Sequence, residues 1–210
     1  MPQPPLILAI ELIALLLVLY KLRTFVNLGP SMVACMLRWK ESVNLEESLD
    51  LARERDKVYF IILIPDLLLT ARYNLAGLDF TESWSPELKL CAAAGLFLTL
   101  ALIRLVPALI LGKGRCSGRL YQAFMHSFRN FAICTSLTGL AAAGICSAFA
   151  ASDDITRNIL YGIMGICYLL YLIRKGQIFA SANTGFSSFL YLCALELLPT
   201  ALTLAAAILF

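Results

Sequence analysis

Six stretches of this sequence, at about 6–20, 58–76, 88–111, 128–150, 155–173 and 187–210, are almost continuously apolar. A chain that crosses the hydrocarbon core of a bilayer as a helix needs roughly 20 such residues per crossing. In lipid every backbone N–H and C=O must be satisfied internally, which leaves helices or closed barrels. These runs are continuous rather than alternating, so they read as helices. The expected fold is all-α, a polytopic bundle of about six transmembrane helices forming one integral membrane domain over residues 1–210. Composition agrees: 60% of the 210 residues are hydrophobic and 15% are charged. A soluble domain averages about 25% charged residues, and one small core could not hide this apolar excess.

The basic residues set the expected topology. The first loop, residues 21–57, holds Lys21, Arg23, Arg38, Lys40, Arg53, Arg55 and Lys57. The third holds Lys113, Arg115 and Arg119, and the fifth Arg174 and Lys175; the even loops hold only Lys89 and Arg157. The positive-inside rule puts the odd loops in the cytoplasm and both termini outside. No Lys or Arg precedes the first apolar run, and Tyr20, Lys21 and Arg23 follow it. That is the reverse of a signal peptide, so this run reads as a retained helix.

The first loop is the only long one. Gly29-Pro30-Ser31 reads as a break that opens a new helix, with Met32 to Trp39 lying in the membrane interface and Trp39 as its anchor. Asn44 with Glu46 and Glu47 reads as an N-cap with a capping box. One helix should then run from Glu46 through Lys57 into the second span. Its charged part reads as a solvated face, or as a docking arm for a cytoplasmic partner.

The chemistry-bearing residues are those inside the spans: Glu11, Asp66, Arg104 and Glu196. Each costs a few kcal/mol on insertion scales, and such residues normally turn inward and pair. At 1.5 Å of rise per residue, all four lie roughly 10–14 Å from the inner face. Pro65, Pro107 and Pro199 sit beside them and are expected to kink their helices. This buried charged layer reads first as a clamp between helices. The alternatives are a proton or ion pathway, or a polar ligand pocket. Gly139 and Ala143 form a small-xxx-small pair suited to close packing, within the bundle or in a homodimer.

The seven cysteines form no CxxC pair and lie mostly in apolar runs, so they read as small buried hydrophobes. The single histidine, His126, falls in the third loop. One histidine rules out a bis-histidine haem within the chain and is too few for a histidine-based zinc site, so no cofactor or metal is expected. Residues 112–118 form a basic turn without the phosphate-loop spacing. A net charge of +3 does not call for nucleic acid.

The last segment, FLYLCALELLP at 189–199, resembles the C-terminal signature of an uncharacterised family of Bacteroidota inner-membrane proteins, a domain of unknown function. The charged helix of 45–57 leading into an apolar span and the Leu172-Ile173-Arg174 helix end are similar to that family too. The resemblance implies a multi-pass protein of a bacterial inner membrane. It marks Phe189, Tyr191, Cys193, Glu196 and Pro199 as signature positions and carries no catalytic assignment. The function expected is that of a non-enzymatic subunit or accessory protein of a cell-envelope assembly. Its expected partners are the lipid bilayer and a membrane or cytoplasmic protein, or a second copy of the chain. The alternative is a small proton- or ion-coupled transporter using the same carboxylates.

Overall fold

The computed structural model describes residues 5–77, 84–111 and 118–181. The side chains of 104–111, 118–121, Phe124 and Phe179 are outside that description. The described residues form seven helices and no strand: α1 (Pro5–Tyr20), α2 (Leu22–Leu37), α3 (Trp39–Glu47), α4 (Leu49–Arg72), α5 (Pro86–Leu111), α6 (Gly118–Ala148) and α7 (Asp153–Ala180). The all-α expectation holds. Three helices, α5, α6 and α7, carry stretches long and apolar enough to cross a membrane. The count rises to four if α1 and α2, bent by 69° at their junction, are taken as one span. In α4 the apolar part begins only at Val58, and the remaining 15 residues make about 22 Å of helix, short of a full hydrocarbon core.

The first loop departs from expectation in three ways. Pro30 does not open a helix; it lies inside α2, which begins at Leu22. It sits on the exposed side of that helix, beside Val26, whose carbonyl it leaves without an amide partner. Asn44 caps nothing: it lies within α3 and its amide donates to Glu41 Oε2 at 3.3 Å. Glu46 therefore does not begin the second-span helix. Arg38 and Ser48, both extended, separate α2 from α3 and α3 from α4. From Leu49 the helix does run unbroken through Lys57 and Pro65 to Arg72.

One apolar core ties the loop helices to the bundle. Phe25, Leu28, Met32 and Cys35 of α2 and Leu45 of α3 bury against Val58 and Ile62 of α4 and Ile133 and Cys134 of α6. The small-residue pair of α6 packs inside the bundle. A Cβ on Gly139 would meet Leu160 of α7 at 3.5 Å, and Ala143 is buried with Leu160 and Tyr73. Cys35, Cys134, Cys146 and Cys167 are buried thiols as expected, whereas Cys91 is exposed.

Two helix ends close with left-handed residues. Asn74 (φ 48°) follows α4, and Leu75 N–H reaches back to Thr70 O at 3.1 Å. Ala150 (φ 49°) follows α6, and Ala151 N–H bonds Cys146 O at 2.9 Å. Ser152 then starts α7, its hydroxyl accepting from Ile155 N–H at 3.4 Å ahead of Asp153 and Asp154. Asparagine tolerates this backbone region; alanine does not, because its Cβ crowds the carbonyl. Ala150→Gly is therefore expected to stabilise the protein by about 1 kcal/mol, read as a higher melting temperature in detergent.

Candidate functional site

The candidate site lies where α3, α4 and α6 meet, and its centre is Arg55. This residue was expected on a solvated helix face or docking arm; instead its side chain is 0% exposed. The reason is register. Arg55, Val58, Ile62 and Pro65 are spaced three, four and three apart and form the buried stripe of α4. A guanidinium at that position leaves water and must be met by acceptors. Glu46 of α3, itself 5% exposed, pairs with Arg55 Nη1. Asp56 Oδ1 accepts from Arg55 Nε at 2.9 Å, and its other oxygen accepts from Arg129 Nη1 of α6 at 2.7 Å. Arg129 also lies over the Tyr59 ring, 6.0 Å from its centroid.

His126 completes the cluster. It belongs to the third turn of α6, which starts at Gly118, and not to a loop. Its Nδ1 is 3.2 Å from Arg55 Nη2 and 3.1 Å from Glu46 Oε2. One ring nitrogen cannot serve both neighbours at once: unprotonated it accepts from Arg55, and carrying its proton it donates to Glu46. Two guanidiniums face two carboxylates, so the cluster is charge-balanced without the imidazole. Burial alone would raise the Glu46 carboxyl, but the hydrogen bonds from His126 and Arg55 and the Arg55 charge hold it below its usual range. Asp56 behaves alike: burial raises it, and Arg129 with Arg55 more than offsets that.

The residues singled out from the sequence occupy other ground. Asp66 is on α4 and accepts from Ser136 Oγ of α6 at 2.5 Å; the same hydroxyl is 2.7 Å from Ala132 O. Glu11 lines a cavity of about 340 Å³ between α1 and α4, with Ala14, Val18, Pro65, Leu69 and Arg72. Arg72 borders the same cavity as Glu11. Pro65 is buried inside an unbroken helix. Arg104 and Pro107 lie in α5, but their side chains are outside the description; Phe189, Tyr191, Cys193, Glu196 and Pro199 lie outside the described residues altogether. Glu11 and Pro65 are thus brought together on one cavity, while Asp66 has a different partner. Among the described residues no cluster of histidine, cysteine and carboxylate side chains is arranged to hold a metal.

Sequence reasoning missed Arg55, Glu46, His126 and Arg129 as a unit. The available sign was Arg55 itself, a cation in register with an apolar stripe. Beyond the cluster, Arg174 Nε of α7 donates to Met36 O at 2.9 Å, closing the carbonyl end of α2. Lys175, 5% exposed, donates to Tyr171 Oη at 2.8 Å. No family model, no curated protein and no solved structure matches the chain.

Two outcomes follow from the geometry. Arg55→Met strands the Glu46 carboxylate and should cost about 3–5 kcal/mol. The double variant Arg55→Met with Glu46→Leu should recover part of that loss in the same detergent melts. The second concerns acid. Carboxylates depressed in the fold contribute stability that is fully present above their unfolded pKa of about 4. That contribution disappears as pH falls through the lower folded values. The margin in melting temperature of the wild type over Glu46→Gln should therefore be level down to about pH 5 and shrink below it.

Proposed function

We propose that this chain is a non-enzymatic integral subunit of a bacterial inner-membrane assembly. In this reading α1, α4, α5, α6, α7 and residues 187–210 cross the bilayer, with both termini outside. The short apolar lengths of α1 and α4 are met by basic residues at their ends, Lys21 and Arg72, snorkelling to the interface. The agreement of all three odd loops in basic charge supports the orientation. The resemblance of residues 189–199 supports the Bacteroidota address.

The observation that carries the subunit reading is the Arg55 cluster. It joins α3 to α4 and α6 through charged groups removed from water. A loop that served only as a connector has no need of such a lock. A loop that must present α3 in one fixed pose to another protein does. The exposed side of α3 and the start of α4, with Asn44 and Asp50, is the surface so presented.

A second reading, proton- or ion-coupled transport, draws on the Glu11 cavity. A carboxyl that shares a largely apolar cavity with Pro65 and one cation, Arg72, is the kind of group that relays protons in membranes. The two readings part in one experiment. A tagged chain purified from its native membranes in mild detergent should carry a stoichiometric partner. Asn44→Arg with Asp50→Arg should lose that partner while keeping its melting temperature. A chain that comes out alone, and that conducts protons in liposomes until Glu11→Gln is made, would replace the subunit reading with transport.

A further inference from the structure

Helix α2 presents three separate stripes. Phe25, Leu28, Met32 and Cys35 are buried in the core shared with α4 and α6. Arg23, Asn27 and Ser31, four residues apart, form a polar stripe. Leu22, Val26, Val33 and Leu37, spaced four, seven and four apart, form a third. They are large or branched apolar side chains left 50%, 66%, 53% and 65% exposed. A helix with one face on protein and one polar face has no internal reason to carry a third, apolar one.

The surroundings of that third stripe identify its occupant. It follows directly in the chain on α1, where Leu12, Leu16, Leu19 and Tyr20 are likewise exposed apolar side chains. The chain turns by 69° between the two helices, enough to lay α2 near the plane of a bilayer that α1 crosses. Both ends of α2 carry the same anchor. Lys21 lies 5.2 Å from the centroid of the Tyr20 ring before the helix, and Lys40 lies 5.9 Å from that of Trp39 after it. Arg23 and Arg38 add a further exposed cation at each end. Aromatic rings paired with cations are suited to the headgroup layer, where the ring meets acyl chains and the ammonium meets phosphate. Cations at both ends keep both ends on one side of the membrane, so α2 does not cross it.

We propose that α2 is an amphipathic helix seated in the cytoplasmic leaflet, with Leu22, Val26, Val33 and Leu37 among acyl chains and Lys21, Arg23, Arg38 and Lys40 on anionic lipid headgroups. This rests on the reading of α1 as a span. It adds a lipid class: four cations within one helix length select phosphatidylglycerol or cardiolipin over zwitterionic lipid. The Arg55 lock gives the selection a consequence, because the helix that meets the lipid shares its core with α3 and α4.

The test uses the full chain in phosphatidylcholine vesicles containing a minority of phosphatidylglycerol, with one or the other lipid brominated. Trp39 is read in a Trp84→Phe background. Val33→Trp, Asn27→Trp and Ile166→Trp are read with both native tryptophans changed to Phe. Ile166, 63% exposed on α7, reports the bilayer independently of α2. Trp39 and the Val33 reporter should be quenched, and the Asn27 reporter spared. Brominated phosphatidylglycerol should act more strongly than its mole fraction predicts. That enrichment should shrink roughly fivefold for each headgroup cation removed by Arg23→Gln or Arg38→Gln, and should vanish at high salt. Quenching at the Ile166 reporter without quenching at Val33 would overturn the α2 proposal and leave the bundle in the bilayer. No quenching at Ile166 would overturn the membrane reading itself. Quenching at Val33 that is equal for the two lipids would overturn the anionic selectivity.

Discussion

Everything at this end of the molecule depends on one guanidinium with no access to water. An ionised side chain withdrawn from solvent costs several kcal/mol unless acceptors surround it. Arg55 finds them on three helices, through Glu46, its neighbour Asp56 and the imidazole of His126. The requirement acts as a placement rule. α3 cannot drift from α4 without exposing Glu46 or orphaning Arg55, and α6 cannot slide without moving His126 and Arg129 out of reach. Apolar packing among Leu45, Val58 and Ile133 holds the same helices together but tolerates shifts that the charges do not. Direction and register therefore come from the charged groups, and bulk stabilisation from the apolar ones.

The second organising constraint is the bilayer. Exposed leucines and isoleucines cover α1 and α7, while buried residues concentrate on α6, which packs on α2, α3, α4 and α7. α6 has one side toward α4, with Ile133, Ser136 and Leu140, and another toward α7, with Phe131 close to Tyr171. Polar groups inside this bundle are met locally. Ser136 answers Asp66, and Thr135 and Thr138 turn back onto carbonyls one turn earlier. Such back-bonding lets hydroxyls sit within apolar helices at little cost.

The all-α class and the apolar parts of the long helices were legible in the sequence because they follow from runs of apolar residues; the polar ends were not, so α6 begins at Gly118, ten residues before its apolar run, and takes in His126. The loop was legible only in part. Pro30 read as a helix start because proline favours first turns, yet α2 already extends on both sides of it, its buried face being supplied by tertiary contacts. Asn44 had the residue type of a cap, but a cap is defined by backbone angles, and Ser48 has them. The ionisable residues of the spans stood out because charge is conspicuous among leucines. Arg55 did not, since it sits among other charges and only its phase relative to Val58 and Ile62 sets it apart. Its partners lie nine and 71 residues away, a pairing that no local pattern contains.

The hydrogen bond from Arg174 to Met36 O joins residues 138 positions apart. Its meaning is temporal as well as spatial. Helix α2 leaves the ribosome early, and the side chain that closes its last turn is made after most of the chain has followed. At about 5–20 residues per second, that gap is of the order of ten seconds. Throughout it, α2 has an open carbonyl end and a face awaiting α6, while its aromatic and basic flanks are already complete. In the proposed seating of α2, the surface of the membrane is thus the first surroundings in which this helix is held, and the bundle closes over it afterwards.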